Sequence, residues 1–358
     1  MSDLTDQPRT VREEDRLDLD AICRWLEGVR PELSETPSQR QFSGGASNLT
    51  YLLSWPGSEL VLRTAPKGTK ARSAHDMGRE VRVLRALQGR FPVPEVVAFC
   101  DDDAVIGRDF YLMQRLRGLI LRQDLPAGLS LSTEQTRDLC DAALDALVQL
   151  HALDPAELGL SDLGRGQGYV RRQVDGWSRR YRKARTPDAA SFEGVMAWLD
   201  ANQPEDVATV LIHNDWRFDN LVLDPADPTH ILGVLDWEMC TLGDPLMDLG
   251  GSLAYWVQAD DDAPMQMMRL QPTHLPGMRT RDEVVARYLE QSGLGDKVVS
   301  FDFYLVFGVF RLAGIVQQIY YRYFHKQTTN KRFASFVHIA AYLETRCEQL
   351  IAAASAKA

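Results

Sequence analysis

Between residues 41 and 66 apolar and β-forming residues crowd into two runs, "FSGGASNLTYLLSW" and "SELVLRTAP", separated by Pro56-Gly57. Such side chains flanking a turn dipeptide predict a hairpin, entered here through a glycine loop. In "SAHDMGREVRVLRALQGR" the period changes. Val81, Leu84 and Leu87 recur at helical steps, which predicts a helix with one buried face. "FPVPEVVAFC" and "DFYLMQRLRG" predict two further strands. Upstream, Leu19, Ile22, Cys23, Leu26 and Val29 mark one face of a short helix that ends near Pro31, and residues 1 to about 16 read as a loose polar arm.

Beyond Gly118 the helical period dominates. Ser132, three residues before Gln135, forms a capping-box pattern ahead of Leu139, Ala143, Leu147 and Leu150 at helical spacing. Residues 168 to 202 also read as helical. Three short strand-like runs follow, at 208–213, 221–223 and "HILGVLDWE", and helices resume from about 246 to the end. The expected class is α+β: a small antiparallel sheet with one packed helix, joined to a larger, mainly helical lobe. The division is 1–117 and 118–358, with the crossover between Met113 and Gly118.

Composition narrows the function. The chain has 358 residues, 45% of them hydrophobic, enough for a large core in two lobes. A net charge of -10 excludes a general nucleic-acid binder, which needs a basic footprint to displace phosphate counterions. The five cysteines form no C-x-x-C pair and the histidines no H-E-x-x-H, so neither a zinc site nor a disulfide framework is indicated. The polar N-terminus lacks an apolar signal region, and no later run reads as a membrane span. A protein of the reducing cytoplasm, without a membrane partner, is expected. The oligomeric state stays open, a homodimer among the options.

The stretch "LIHNDWRFDNLVLD", residues 211–224, concentrates polar groups between two strand-like runs. Asp215, Asn220 or Asp236 alone would commonly be a turn cap. Together they offer a carboxylate to accept a proton from a hydroxyl, and two hard oxygen ligands of the kind Mg²⁺ prefers. That layout suits phosphoryl transfer, and the Asp215 to Asn220 spacing equals that of the kinase pattern H-R-D-x-x-x-x-N. Further parts occur in kinase order. "SGGASN" could lay backbone N–H groups and the Ser47 hydroxyl over phosphates, and Glu80 lies on the first long helix. Arg63 occupies the position expected for the strand cation, with Lys67 just beyond. His213 and His151 read as structural, Asp244 and Asp248 as braces, and Asp219 as exposed.

The segments "FSGGASNLTYLL", "VLR", "SAHDMGREVRVLRAL", "HNDWRFDNLVLD", "GVLDWEMCTLGDPLMDLG" and "FRLAGIVQQIYYRY" resemble the aminoglycoside phosphotransferase/choline kinase-like family. The similarity is to the branch related to kinase-like domains attached to some acyl-CoA dehydrogenases, and it covers about 37 to 345. It implies a protein-kinase-like two-lobed fold with ATP in a cleft at the Met113 to Leu116 hinge. Asp215 would be the base, Asn220 and Asp236 the Mg²⁺ ligands, Arg63 with Glu80 the grip on the α- and β-phosphates, and Ser47 part of the phosphate loop.

Residues 304–333 hold Arg311, Arg322, Lys326, Lys331 and Arg332 and no acid, which suits an anionic acceptor such as a hydroxyacyl-CoA. Asp244 is a weaker substrate candidate. Two alternatives remain: an aminoglycoside-modifying kinase, for which "ADDDAP" at 259–264 would supply acidic charge, and a non-catalytic nucleotide-binding protein. Whether ATP or GTP is the donor is left open.

Overall fold

The computed structural model describes residues 6–33, 35–42, 48–66 and 76–357. Its first half is built on five antiparallel strands, β1 (Ser38–Gln41), β2 (Leu49–Trp55), β3 (Ser58–Thr64), β4 (Val96–Cys100) and β5 (Phe110–Gln114), in the order β1-β2-β3-β5-β4. Side chains alternate across a strand, so each face of this sheet needs a cover. Tyr51, Leu53, Leu60, Leu62 and Phe110 point outward into a cluster with Ile22 and Leu26 of α1 (Leu19–Val29). On the other face Val61, Tyr111 and Met113 join Val81, Leu84 and Leu87 of α2 (Met77–Leu87), continuous with the core of the second lobe.

The polar arm is therefore not loose from residue 6 onward. Arg9 exchanges backbone hydrogen bonds with Gln41 at 2.7 and 2.8 Å, Tyr51 Oη donates to the Asp15 carbonyl at 2.7 Å, and Val11 and Leu17 are buried. Alternating charge hid these two anchors. The short helix α3 (Asp103–Ile106) separates β4 from β5.

The second lobe is helical: α4 (Thr133–Ala152), α5 (Tyr169–Ala184), α6 (Glu193–Ala201), α7 (Pro245–Leu253), α8 (Ala263–Met267), α9 (Arg281–Ser292), α10 (Asp302–Phe324) and α11 (Phe336–Lys357). The capping box at the start of α4 is complete, with the side chains of Ser132 and Gln135 each accepting the other's backbone N–H. Two small antiparallel pairs interrupt the helices. Here β6 (Val210–Ile212) pairs with β9 (Thr241–Gly243), and β7 (Leu221–Leu223) pairs with β8 (Ile231–Val234). The fourth of these strands, three residues long, carries too little periodicity to be read from sequence.

Helix α10 is 23 residues long with a mean hydropathy of 1.4, the length and apolarity of a membrane span, contrary to the sequence expectation. Most of it is buried against α5, α7 and α11. A Cβ at Gly308 would lie 2.1 Å from the Gly250 carbonyl oxygen, so these two helices approach backbone to backbone.

The chain passes between lobes at Arg115 to Gly118 and is fastened there by reciprocal backbone hydrogen bonds of Leu119 with Leu223, both 2.8 Å. A Cβ at Gly118 would meet the Leu223 carbonyl at 2.4 Å. Gly118→Ala should accordingly cost about 1–3 kcal/mol by overpacking, seen as a lower thermal midpoint. An unchanged midpoint would mean that the crossover yields freely.

Candidate active site

The two strand pairs of the second lobe decide where the polar residues go. The loop 213–220 joins β6 to β7, Asp236 follows β8 by two residues, and β9 returns beside β6. Crosslinks hold the two loops in register. His213 Nε2 donates to the Leu235 carbonyl at 2.9 Å, and Leu235 N donates to the Asn220 carbonyl at 2.8 Å. Asp215 N–H lies 3.2 Å from His213 Nδ1, so both ring nitrogens are engaged by the backbone of the two loops. His213 is fully buried and structural, as the sequence suggested.

Beneath this loop lies the Asp248 carboxylate, accepting from the backbone N–H groups of His213 and Asn214, both at 2.8 Å. His151 Nε2 reaches the same carboxylate at 3.1 Å while its Nδ1 is 2.7 Å from Tyr288 Oη, so His151 is structural too. Burial pushes the Asp248 carboxyl up, but the hydrogen bond from His151, the two imidazoles and the His213 N–H outweigh it and hold it below the usual carboxylate range.

Asn214 and Asp236 are in the left-handed region, at φ 65° and 66°, which costs a residue with a side chain about 1–3 kcal/mol. Asp236 lines the cleft between the lobes, and Asn214 immediately precedes Asp215, which lines it too. Besides Asp248, three further partners hold Asn214 there: Tyr169 Oη donates to its Oδ1 at 3.0 Å, its Nδ2 donates to the Met239 carbonyl at 3.0 Å, and Arg311 Nη2 donates to its carbonyl at 2.8 Å.

Asp215, Asn220 and Asp236 all line one cleft of about 290 Å³ between the lobes, with Arg63 on its upper wall. Asn220 Nδ2 donates to the Asp215 carbonyl at 2.7 Å and to Asp215 Oδ2 at 3.1 Å, which leaves the Asn220 amide oxygen for another partner. Val61, Met113, Leu116, Val222 and Leu235 give the cleft an apolar slot beside the crossover. Sequence-predicted Met113 and Leu116 therefore both reach it.

Arg63 projects from β3 into a buried charge cluster. It ion-pairs Asp236 in direct contact and lies 3.4 Å from both Glu80 and Glu238. Burial works against its charge, and Glu80, Asp236, Tyr111 and Glu238 outweigh that and raise its pKa. Burial also opposes ionisation of Asp236, but Arg63 holds that carboxyl down. Burial pushes the Glu80 carboxyl up, and the more distant Arg63 offsets this only in part. Three acids thus share one guanidinium. The local excess of negative charge, with Asp236 and the Asn220 amide oxygen at the cleft, fits a divalent cation of the magnesium type, which needs only one or two protein ligands beside phosphates and water. Among the described residues, no group of three His, Cys, Asp or Glu is arranged to hold a metal by itself.

Other expectations fare differently. Ser47 and Lys67 lie outside the described residues. Asp244 is fully buried, and its carboxylate accepts from the N–H groups of Leu246, Met247 and Val207, so it caps α7 and does not line the cleft. Arg311 reaches the catalytic loop, whereas Arg322 is exposed on α10 and does not line the cleft. Asp219 is not exposed. It lines the cleft with Arg217, Glu238 and Asp6 of the arm, three residues the sequence reading missed. Glu238 could have been suspected from its place two residues after Asp236; the arm carried no signal.

Comparisons with known proteins agree with this geometry. Residues 38–284 match the model of the phosphotransferase enzyme family (APH), and the chain belongs to that family. It is a small-molecule kinase by class, transferring phosphate to a hydroxyl. Among similar proteins, acyl-CoA dehydrogenase family member 11 of Gallus gallus is 35% identical over 87% of this chain, and member 10 of Mus musculus 34% identical over 88%. The chain spans only 41% and 29% of the length of these two relatives. A solved candidate aminoglycoside phosphotransferase from Ralstonia eutropha superposes with a TM-score of 0.77 at 28% identity, covering 94% of this chain and 98% of that one. A Cryptosporidium parvum choline kinase shares the fold alone, with a TM-score of 0.58 at 12% identity, covering 95% and 97%.

The Asp248 carboxylate makes a pH prediction. Its folded value lies below the unfolded one near 4, so the stability it contributes is complete above that value and is lost as pH falls through the folded value. Asp248→Asn should lower stability at pH 7 by about 1–3 kcal/mol and flatten the decline of the thermal midpoint on the acid side. An acid limb identical to wild type would remove Asp248 as the loop's charged anchor.

Proposed function

We propose that the protein transfers the γ-phosphoryl group of Mg·ATP to a hydroxyl of a small anionic metabolite, with a hydroxyacyl-CoA as the leading acceptor. The observation that carries the chemistry is the convergence of Asp215, Asn220 and Asp236 on one cleft with a buried cation opposite. Bound magnesium would be held by Asn220 and Asp236 and would neutralise phosphate charge. Asp215 orients the acceptor hydroxyl and takes its proton as the oxygen attacks phosphorus. Arg63, braced by Glu80, holds the remaining phosphates, and the apolar slot at Met113 and Leu116 takes the base.

An anionic acceptor is supported by cations without acids. Arg311 lies beside the catalytic loop with its guanidinium 5.8 Å from the Trp177 ring, and Arg180 covers the same ring at 4.8 Å. Burial and the neighbouring charges of Arg179 and Arg311 lower the pKa of Arg180. Among the described residues the charges acting on Arg180 are Arg179, Arg311 and Tyr169 with no carboxylate, and Arg311 is held by the Asn214 carbonyl, so these mutually repelling cations would be favoured by a bound anion. The naming of the relatives as acyl-CoA dehydrogenase family members points to a thioester.

The aminoglycoside reading loses its best support. In "ADDDAP", Asp261 is bound by Arg281 at 2.6 Å and Arg346 at 3.3 Å, and Asp262 caps α8. Five buried free cysteines suit the reducing cytoplasm where such metabolites occur.

The test is a mass-spectrometric search for phosphate transfer from Mg·ATP, and separately Mg·GTP, to hydroxyacyl-CoA thioesters and to aminoglycosides. Product in the thioester pool is expected, and product only among the aminoglycosides would refute the anionic acceptor. Asp215→Ala should lower turnover about 10²–10⁴-fold with nucleotide binding retained. Asp236→Asn should weaken magnesium-dependent nucleotide binding; unchanged binding would contradict its role as a ligand.

A further inference from the structure

Arg217 stands two residues beyond Asp215, where the chain enters the single 3₁₀ turn Phe218–Asn220. Its side chain turns back into the cleft. Nη2 donates to Asp215 Oδ2 at 3.1 Å, and Nε lies 3.1 Å from Asp215 Oδ1 and 3.3 Å from Asp219 Oδ1. The guanidinium covers the Tyr255 ring at 5.0 Å, which fixes its plane from one side. Burial opposes its charge, and Asp215, Asp219, Tyr255 and Asp236 together outweigh that and raise its pKa. The cation therefore feels both the proposed base and the proposed metal ligand, and the phosphoryl group must travel between those two.

The contact differs from a structural ion pair. Arg281 grips Asp261 with two parallel bonds of 2.7 and 2.6 Å, the bidentate form that arginine favours. Arg217 does not. Its buried Nε has no aligned acceptor, and neither has Asp219 Oδ1 a hydrogen-bond donor. Burial pushes the Asp219 carboxyl up, so Arg217 compensates it incompletely. The other cleft cations are held by closer or better aligned acids: Arg63, whose Nε also lacks an acceptor, pairs with Asp236 in direct contact on the opposite wall, Arg115 with Glu59 at 2.6 Å, and Arg122 with Asp6 through two hydrogen bonds of 3.1 and 3.2 Å. Arg217 is the cleft arginine next to the base that keeps an unsatisfied donor.

We propose that Arg217 contacts the γ-phosphoryl group in transit, exchanging part of its hold on Asp215 and Asp219 for the non-bridging phosphate oxygens. This rests on the phosphotransferase reading above. The bond from the acceptor oxygen to phosphorus forms, and the bond from phosphorus to the β,γ-bridging oxygen breaks with its electron pair leaving on the nucleoside diphosphate. The acceptor proton goes to Asp215. Arg217 gains and loses no proton; it neutralises charge on the phosphoryl oxygens and leaves Asp215 free for the hydroxyl. Asp219 is its resting partner.

The experiment compares binding of Mg·AMP-PNP, which has a γ-phosphate, with Mg·ADP, which lacks it, in wild type, Arg217→Gln and Arg217→Lys, by calorimetry alongside thermal unfolding. Arg217→Gln should weaken AMP-PNP about 10-fold to 100-fold while ADP changes by no more than about 3-fold, as loss of a charge-assisted contact to one phosphate requires. Arg217→Lys should recover part of the preference, because a point charge still attracts phosphate. It also reads the same ratio if the glutamine variant fails to fold. A lowered midpoint with the AMP-PNP to ADP ratio unchanged in both variants would overturn the proposal and leave Arg217 a structural partner of two aspartates. A wild type that binds neither nucleotide would overturn the phosphotransferase reading itself, and this inference with it.

Discussion

One buried carboxylate holds the site together. Asp248 sits on the first helix after the second strand pair, and its two oxygens take the backbone N–H groups of His213 and Asn214. A buried charge is tolerated only when it is fully paired, and here His151 completes the set. The same bonds stabilise an unfavourable backbone. Asn214 can stay at a positive φ because its amide, its carbonyl and its side chain are each tied to a different element: α7, α10, and the Tyr169 and Met239 contacts. The sharp turn that results presents Asp215 to the cleft. The direction of the proposed base is thus set by a residue 33 positions further along the chain that never touches a substrate.

The opposite wall follows a second constraint, the shortage of positive charge around Arg63. Glu80 from α2, Asp236 and Glu238 converge on one guanidinium, and Asn48 Nδ2 donates to Glu238 at 2.5 Å. Such a cluster couples the lobes, since Arg63, Asn48 and Glu80 belong to the first and the other two acids to the second. It is also unsaturated. A carboxylate that must share one arginine with two others gains from a metal ion, and the phosphates that accompany the ion gain from the arginine. The contact between the lobes and the proposed binding of a nucleotide with a metal would therefore draw on the same charges. Around Trp177, beside the 213–220 loop, Arg180 and Arg311 form no ion pair with a carboxylate among the described residues, so charge passes from a surplus of acid around Arg63 to a surplus of cations there.

How much of this could be read in advance depended on the range of the interactions. The hairpin at Pro56-Gly57, α2, the capped α4 and the strand-loop-strand around Asp215 are local, each specified by periodicity or capping within a dozen residues, and all formed as the pattern indicated. Six segments in order also sufficed for the family, through their resemblance to aminoglycoside phosphotransferase/choline kinase-like chains, and Asp215, Asn220 and Asp236 do meet at one cleft. The exceptions are instructive. Asp244 looked available, yet its oxygens were claimed by the start of α7 and by Val207. Asp219 looked exposed, yet the 3₁₀ turn brought it into the cleft beside Arg217. The arm looked loose, yet Arg9 and Tyr51 anchor it across the sheet edge.

Sequence by itself determined most of the elements, the phosphotransferase family and which polar residues gather at the cleft. Only the tertiary structure decided the partners of those residues: that Asp248 and not a neighbour carries the catalytic loop, that Arg63 is shared among three acids, and that Arg217 faces the base with a donor unsatisfied. The reason is physical. Helices, turns and metal-ligand spacing depend on residues close in sequence, whereas the pairing of a buried charge depends on which distant groups packing brings within about 4 Å, and a linear pattern does not encode that distance.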